Sequence, residues 1–405
     1  MFRFLTAGES HGKALVVVID GMPSGLEISS ETISSELSRR RLGFGRGPRM
    51  RFEKDEVEII SGVRFGRTLG SPISIQIRNT EWSKWEKEMS VSKGSSGKLL
   101  TEPRPGHADL PGMIKYGFSD ARDVLERASA RETAARVAAG AVAKKLLEHL
   151  DIYIVSHVIQ IGNVKLNSDY LKPTIKDLDR VDDSQVRCLD PEIEEMMISE
   201  IKAAAKDGDS LGGSVEVIAY GVPIGLGSHV HYDRKLDGLL AQALMSIQAV
   251  KAVEIGLGKN LGSMRGSKAH DEISWDAKKK KYSRPTDRAG GIEGGISNGE
   301  PISAIVTMKP LATLNRPVIK TVDINTKQTK VSFKERTDVV AVPALGVVSE
   351  TMMALVLAKV AVEKFGGDSL AEFIRNHKGF LKNLHSTPSS TEIMYGSDLN
   401  YKSNI

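Results

Sequence analysis

Cysteine is almost absent from this chain of 405 residues. Its single cysteine, Cys188, cannot form a disulfide within the chain, and no CxxC pair or Cys/His spacing suits a structural zinc ion. We therefore expect no metal site. Because persistent disulfides mark oxidising compartments, one lone thiol favours a reducing compartment, and we expect a cytoplasmic protein.

Long apolar runs and aromatic side chains are also scarce. No run approaches the ~18 apolar residues that a membrane span requires, and the first residues lack the basic and then apolar pattern of a signal peptide. We expect no membrane partner. Aromatic residues make up only 5% of the chain, so the core must consist mainly of aliphatic side chains.

A large excess of one sign of charge is lacking as well. The chain has 56 Lys and Arg against 51 Asp and Glu, a net charge of +5. This mild excess permits an anionic partner, but it does not distinguish a nucleic acid from a small anionic metabolite. With 40% hydrophobic and 26% charged residues, the composition is that of a globular chain and excludes long disorder.

Strand and helix patterns alternate along the chain. Short apolar or alternating runs predict strands at Leu15–Asp20, Val57–Ser61, Pro72–Ile77, Ile152–Val158, Val215–Tyr220 and Ile302–Met308. Helical spacing predicts one helix that begins at Ser29 or Ser30. It predicts further helices over Ser129–Leu150, Pro191–Lys206, Arg234–Val253 and Val347–Phe365. The last helix is apolar on nearly every side, which is typical of a helix buried all round or at a subunit interface.

One strand, turn and helix pattern occurs twice. Val16–Ile19 is followed by Gly21–Leu26 (GMPSGL), and Val215–Ile218 is followed by Gly221–Leu226 (GVPIGL). A helical pattern follows each turn, which predicts a duplicated unit and a pseudo-twofold arrangement within a single domain. Coincidence is the alternative, because Gly/Pro turns are common after strands.

Two histidines lie in turns rich in glycine or proline. His11 stands in Gly8–Gly12 (GESHG), and His107 stands in Arg104–Asp109 (RPGHAD), between an arginine and a carboxylate. Histidine exchanges a proton near neutral pH, so both are candidates for acid–base chemistry. For His11, a turn histidine exposed to solvent is the alternative interpretation.

Arginines are concentrated in two segments. Six lie within thirteen residues, at the end of a helix and in the glycine-rich loop after it: Arg39, Arg40, Arg41, Arg46, Arg49 and Arg51. Guanidinium groups bind carboxylates and phosphates in pairs of hydrogen bonds, although a helix C-terminus also tolerates cations. Nucleic acid is the rival ligand, but no aromatic residues interleave with these arginines to stack on bases.

The second segment, Arg127–Thr133 (RASARET), opens the alanine-rich helix. Backbone N–H groups at a helix start, with Ser129 and two arginines, predict an anion site. A capping box of Ser129 with Glu132 is the structural alternative, and both can hold at once. Further along, Ala289–Gly299 is rich in glycine but precedes a strand, so it is not a dinucleotide-binding fingerprint.

Taken together, these segments resemble the chorismate synthase family. The resemblance covers nearly the whole chain and is carried by Gly8–Gly12, Arg39–Arg51, Trp82–Trp85 with Met89, Arg104–Asp109, Arg127–Thr133, Ala289–Gly299, Lys309–Leu314 and Arg336–Ala344. Three positions depart from the family pattern. Leu311 and Ala312 stand where the family often has isoleucine followed by proline or serine, and Asp287 stands where asparagine is common.

The resemblance implies a fold and a reaction. The fold is an α+β sandwich over residues 1–405, a single domain with helices between two antiparallel sheets and a pseudo-twofold internal repeat, usually assembled as a homotetramer. The reaction is that of a carbon–oxygen lyase, the last step of the shikimate pathway. 5-Enolpyruvylshikimate-3-phosphate becomes chorismate and phosphate by an anti-1,4-elimination that needs reduced FMN. A flavin reductase, with NADPH oxidation as its output, is the alternative.

The resemblance also implies roles for individual residues. The implied catalytic residues are Ser10, His11, His107, Ser129 and Asp338. The implied substrate-binding residues are Arg40, Arg46, Arg49, Arg104, Arg131 and Arg336. The implied flavin contacts are Arg127, Ala128, Ser129, Gln248, Ala249, Gly294, Lys309, Pro310, Leu311, Ala312, Thr313 and Arg336. Arg40 and Arg46 also match positions for NADPH, the candidate reductant.

Overall fold

Two antiparallel sheets form the framework of the protein. The computed structural model describes residues 2–47, 53–95, 97, 99–167, 170–278, 281–333 and 337–384. Sheet one has the order β1-β2-β4-β3, with β1 Arg3–Ala7, β2 Ala14–Asp20, β3 Val57–Ser61 and β4 Ile73–Arg78. Sheet two has the order β8-β9-β7-β5-β6, with β5 Tyr153–Ile161, β6 Val164–Lys165, β7 Gly213–Tyr220, β8 Val250–Ile255 and β9 Ile302–Met308. Short pairs join Val63–Arg64 to Arg67–Thr68, Ser274–Asp276 to Lys281–Ser283, Ile292–Glu293 to Ile296–Ser297 and Lys320–Val322 to Thr329–Val331.

Helices connect the strands of both sheets. The α-helices are α1 Ser30–Arg41, α2 Trp82–Trp85, α3 Asp109–Tyr116, α4 Arg122–Ala128, α5 Thr133–Glu148, α6 Leu178–Asp183, α7 Pro191–Asp207, α8 Leu236–Met245, α9 Gly266–Ala269, α10 Val342–Phe365 and α11 Leu370–Asn383. Short 3₁₀ turns cover Ala130–Glu132, Ile175–Asp177, Tyr232–Arg234 and Gly258–Ser263. Ser29 caps α1 with a side-chain bond to the N–H of Thr32, as the sequence predicts.

The long helices α5 and α10 lie between the two sheets. Helix α5 packs on sheet one, α10 packs on sheet two, and the two helices pack against each other. They cross closely at Gly140, where an added Cβ would lie 2.2 Å from the Cβ of Thr351. Only a residue without a side chain allows this approach, so the alanine-rich and glycine-containing sequence of α5 fixes the spacing of the sandwich. The predicted α+β sandwich is confirmed.

The duplicated pattern corresponds to a duplicated structure. Strand order β1-β2-β4-β3 in sheet one matches β5-β7-β9-β8 in sheet two, and each half has a helix and a short hairpin at the same places in the chain. The carbonyl of Thr68 accepts from Gly25 N–H at 2.8 Å, and the carbonyl of Ser297 accepts from Gly225 N–H at 2.9 Å. The Thr68 hydroxyl accepts from Leu26 N–H and donates to the Pro23 carbonyl. The Ser297 hydroxyl accepts from Leu226 N–H and donates to the Pro223 carbonyl in the same way. The predicted pseudo-twofold repeat is confirmed.

The predicted helices over Arg234–Val253 and from Ser129 differ from the structure, and one strand of sheet one was missed. The helix predicted over Arg234–Val253 is wrong at its C-terminal end, because α8 stops at Met245 and Val250–Ile255 pairs with β9 as a strand. Strand β1 was not predicted; it is an edge strand with Leu5 exposed, so its pattern is weak. The helix predicted from Ser129 starts as a separate 3₁₀ turn, and α5 begins at Thr133.

Helix α10 is the only helix of the described residues whose length and composition would suffice to cross a membrane, and 89% of its most apolar window is buried inside the protein. Ser349, Glu350 and Thr351 interrupt the apolar run, so the sequence shows no continuous apolar stretch of this length. Of the two predicted settings for this helix, burial on all sides is confirmed: it packs on α5 and on sheet two within one chain.

Candidate active site

A cavity of about 670 Å³ lies where the loop after β1, the start of α5 and the loop after β9 meet. This volume is in the range of small-molecule sites. Most residues predicted for the site line it: Ser10, His11, Arg40, Arg46, Arg104, His107, Ala128, Ser129, Arg131, Gln248, Ala249, Lys309, Pro310, Leu311, Ala312, Thr313 and Asp338.

Of the predicted residues that the structure describes, Arg127 and Gly294 are not part of this lining. The Arg127 guanidinium turns toward β1, where it donates to the carbonyls of Gly8 and Thr6 at 3.0 and 2.9 Å. Gly294 lies in the turn of the hairpin that ends at Ser297. Arg49 and Arg336 lie outside the described residues.

The His11 ring is held between a carboxylate and an indole. Its Nδ1 lies 3.0 and 2.9 Å from the two carboxylate oxygens of Glu126, and its backbone N–H donates to the same carboxylate at 2.9 Å. The ring stacks on Trp85 with centroids 4.2 Å apart. Burial alone would raise the pKa of Glu126, but the bonds with His11 and the charge of Arg122 hold it below its usual value. Glu126 therefore stays ionised beside the imidazole.

His107 has a carboxylate partner as well. Its Nδ1 lies 2.5 Å from Asp109 Oδ1, and Arg104 Nε donates to the other oxygen at 3.0 Å. Burial would raise the pKa of Asp109, yet the hydrogen bonds from His107 and Arg104 lower it to about 2. The short Arg104–Asp109 segment thus folds onto its own aspartate, which fixes the imidazole at the edge of the cavity.

Two buried arginines share one carboxylate on the opposite wall. Arg40 Nη2 lies 3.3 Å from Asp55 Oδ2, and Arg131 contacts the other oxygen of Asp55. Burial lowers the pKa of Arg40 to about 10. The negative charge of Asp55 acts in the opposite direction, but the positive charges of Arg131 and Arg46 cancel part of its effect. An additional anion in the cavity would relieve this repulsion.

Arg46 has unused hydrogen-bonding capacity. Its Nε lies 3.0 Å from Asp338 Oδ2, and Asp338 also accepts from the N–H of Gly47 at 2.6 Å. Arg46 Nη1 is buried and has no hydrogen-bond acceptor among the described residues, and the same is true of Arg40 Nε and of Arg131 Nη2, which lies 3.5 Å from Glu53 Oε1 as an ion pair. Buried donors without acceptors are costly, so these groups indicate a place for an anionic ligand.

The loop after β9 closes the third side. Lys309 Nζ donates to the carbonyl of Gly106, and Arg104 Nη1 donates to the hydroxyl of Thr313 at 3.1 Å. These bonds tie the loop to the His107 segment. Leu311 and Ala312, two of the positions that depart from the family pattern, line the cavity in this loop.

The wall beside this loop suits a flat, partly polar ring. Ile247, Met308, Leu345 and Val348 supply apolar surface. Gln248 Nε2 donates to Glu132 at 3.0 Å, and Gln248 Oε1 is buried without a donor among the described residues. A flavin ring has apolar faces, a ring N–H and carbonyls at its edge. The orphaned acceptor of Gln248 and the orphaned donor of Arg46 therefore fit FMN. No group of three or more metal-ligating side chains is found in the described part of the chain.

Sequence reasoning missed the partners of the predicted residues. Glu126 and Asp55 contact residues that lie far away along the chain, and no local pattern pairs them. Arg39 and Arg41 were grouped with Arg40 and Arg46, but neither lines the cavity. The capping box predicted for Ser129 is wrong: Ser129 accepts from the N–H of Arg131, while the Glu132 carboxylate faces Thr6, Arg136 and Gln248.

Comparisons with known proteins agree on one family. The family model of chorismate synthase matches residues 2–362. A chorismate synthase of Salinispora tropica is 56% identical over 393 residues, 95% of this chain and 99% of the relative, and that of Thermobifida fusca is 54% identical with the same coverage. A crystal structure of a chorismate synthase superposes with a TM-score of 0.77 at 42% identity, covering 95% of this chain and 98% of the other. The chain therefore belongs to the chorismate synthase family, lyases of the final step of the shikimate pathway.

Proposed function

We propose that the cavity binds 5-enolpyruvylshikimate-3-phosphate against reduced FMN and that its residues carry out the elimination to chorismate and phosphate. One observation supports this most directly: two imidazoles, each held by a carboxylate, and four guanidinium groups line a single cavity. The substrate carries two carboxylates and a phosphate, and FMN adds a second phosphate. Bringing these anions together requires cations around them.

The arginines supply that positive charge in the proposal. Arg40, Arg46, Arg104 and Arg131 line the cavity, and Arg49 and Arg336 are proposed to join them. The buried donors of Arg40, Arg46 and Arg131 that have no acceptor in the described part of the chain are ready to bond to phosphate or carboxylate oxygens. Because these side chains are already held by Asp55, Asp109 and Asp338, little ordering remains to be done when the substrate binds.

The elimination breaks two bonds. The C–O bond to phosphate breaks and its electron pair leaves with the phosphate, while the C6 proton is removed and its electron pair enters the new diene. His11 is proposed to give a proton to the departing phosphate. His107 is proposed to hold the protonation state beside the flavin. Asp338, assisted by Ser10 and Ser129, is proposed to pass on the proton from C6. FMN, when bound and reduced, lends electron density as the C–O bond breaks and recovers it afterwards.

The proposed flavin-binding wall of the cavity contains fewer residues than the resemblance implies. Ala128, Ser129, Gln248, Ala249 and the segment Lys309–Thr313 line the cavity and would hold the ring. Arg127 and Gly294 are left out of the wall, because neither lines the cavity. NADPH as the reductant, a homotetramer and a cytoplasmic location stay predictions.

An anaerobic assay tests the proposal. Dithionite-reduced FMN and the phosphorylated substrate are mixed with the protein, and chorismate absorbance and phosphate release are followed with and without NADPH. We expect equal amounts of chorismate and phosphate with reduced FMN alone. NADPH turnover with free acceptors and no phosphate release would favour the flavin reductase, and binding to DNA or RNA that weakens with salt would favour the nucleic-acid hypothesis.

Two substitutions test the histidines within this assay. His11→Ala and His107→Ala should each lower turnover by roughly 10²–10⁴, the contribution of an acid–base group, while FMN binding is retained. Wild-type turnover in either variant would contradict the role of that histidine.

A further inference from the structure

Glu126 is a buried carboxylate committed to one imidazole. Only 2% of its side chain is exposed, against 22% of the His11 side chain. It accepts from three groups: His11 Nδ1, the His11 backbone N–H at 2.9 Å, and Arg122 Nη1 at 2.8 Å. The N–H of Ser10 donates to the Glu126 carbonyl at 2.9 Å, so backbone and side chain hold the same loop.

Trp85 and Arg122 complete the support of this pair. Trp85 stacks on the His11 ring at 4.2 Å, and the Arg122 guanidinium lies 4.9 Å from the centre of the Trp85 ring. Arg122 also bonds to Glu126, so the arginine contacts both groups that hold the imidazole. The ring therefore has its plane set by Trp85 and its rotation about Cβ set by Glu126.

We infer that Glu126 is a positioning residue for the elimination, which fixes the His11 tautomer with the proton on Nδ1. A carboxylate only accepts hydrogen bonds, so Nδ1 must carry its proton in both protonation states of the ring. Nε2 is then the nitrogen that exchanges a proton with a ligand in the cavity. This inference rests on the proposed function, because it assigns Glu126 to the proton transfer proposed for His11.

Glutamine at this position would remove the constraint. Its amide has one acceptor oxygen for the three donors that Glu126 serves, and its NH₂ group can donate to Nδ1. The Nε2–H tautomer of the neutral ring then becomes accessible, and in that form Nε2 already holds a proton and cannot accept one from the cavity side to restore the imidazolium. A neutral amide also no longer stabilises the imidazolium.

The chain offers a matched control elsewhere. Glu216 is a buried carboxylate 3.2 Å from His157 Nε2, and it also accepts from Tyr170 at 3.0 Å. Neither Glu216 nor His157 lines the cavity. Glu216→Gln therefore disturbs a buried histidine–carboxylate pair to a similar degree without touching His11.

The experiment compares Glu126→Gln, Glu126→Asp and Glu216→Gln in the anaerobic assay and by ¹⁵N NMR of histidine-labelled protein, with His11→Ala identifying the His11 signals. We expect Glu126→Gln to lower kcat by about 10–100-fold with KM and the Kd of FMN within about twofold of wild type. Glu126→Asp should recover part of kcat, and Glu216→Gln should keep the wild-type kcat. At a pH where His11 is neutral, wild type should show protonated Nδ1, and Glu126→Gln should lose this preference.

Separate outcomes contradict the inference and the proposed function. A wild-type His11 protonated at Nε2 would overturn the inference even if Glu126→Gln failed to fold, and so would unchanged kcat in a folded Glu126→Gln. Full activity of His11→Ala would overturn the role of His11 in the proposed function, whatever its tautomer.

Discussion

Two groups of buried basic side chains differ in whether they face the protein interior or the cavity. The first, the interior ion cluster, comprises Arg39, Arg187 and Lys144 with Glu350, Glu36 and Asp182. Three cations face three anions there. The second group consists of the cavity arginines Arg40, Arg46, Arg104 and Arg131. Three of these keep buried N–H groups without a hydrogen-bond acceptor in the described part of the chain, as Arg187 Nε of the interior ion cluster does, but only the cavity arginines line the cavity.

Glu350 is the centre of the interior ion cluster. Its oxygens lie 2.6 Å from Arg39 Nη1, 2.7 Å from Lys144 Nζ and 3.1 Å from Arg187 Nη2. Burial would raise the pKa of Glu350, yet the charges of Arg39 and Lys144 hold it far below its usual value. This cluster joins α1, α5 and α10, and none of its residues lines the cavity, whereas all four cavity arginines line a space that a ligand can enter. Access to the cavity thus separates a binding site from an interior support.

The largest effect is expected for Glu350→Gln, which removes the central charge of the interior ion cluster. Three buried cations then lose their shared partner, and the free energy of unfolding should fall by about 3–5 kcal/mol. Denaturant unfolding followed by circular dichroism measures this. A loss below about 1 kcal/mol would show that the cluster is not a structural support.

A pair of alanine substitutions separates the two groups directly. Arg46→Ala should raise KM for the phosphorylated substrate by about 10–100-fold, the loss of one charge-assisted bond, with the free energy of unfolding within about 1 kcal/mol of wild type. Arg39→Ala should do the reverse: it should destabilise the fold by about 3 kcal/mol and leave KM unchanged in the folded protein. If both variants had the same profile, the distinction between the groups would be lost.

A smaller effect is expected at Asp287, a half-buried carboxylate for which no ion pair is found in the described part of the chain. Burial raises its pKa to about 6, and its Oδ1 accepts from the N–H of Gly291 at 2.9 Å. Because the folded pKa lies above the unfolded value of about 3.9, stability falls as pH rises from about 4 to about 6 and stays low above that. Asn keeps the same bond without the charge. Asp287→Asn should raise Tm by about 1–2 °C at pH 7.5 and change it little at pH 4.5, and an equal shift at both pH values would contradict this account.

The smallest effect is expected for an exposed ion pair. Glu58 and Arg78 lie 3.1 Å apart on sheet one, and more than half of each side chain is exposed. Water and salt already screen such charges, so Glu58→Gln should change the free energy of unfolding by at most about 0.5 kcal/mol. A change as large as that of Glu350→Gln would mean that burial does not govern the difference between the ion pairs.

The neighbours Arg39 and Arg40 show where sequence-based prediction of the site reached its limit. The arginine-rich segment predicts an anion site, but successive residues of a helix point about 100° apart, so Arg39 enters the interior ion cluster and Arg40 the cavity. Both histidines were predicted because their glycine and proline turns are local. Glu126 was not predicted as a partner of His11, because 115 residues separate the two along the chain. Likewise, the first four residues of the strand Val250–Ile255 were assigned to a helix, since the pairing of this strand with β9 is not visible locally.

The sequence by itself determined the strongly periodic elements, the duplicated strand and turn, the two histidine motifs and the family. These depend on residues close together in the chain, where backbone preference and side-chain chemistry act directly. The three-dimensional packing sets which carboxylate holds which imidazole, which arginines join the interior ion cluster, and which arginines line the cavity. Those choices depend on the packing of α1, α4, α5 and α10 between two sheets, which brings together charges that the sequence places far apart.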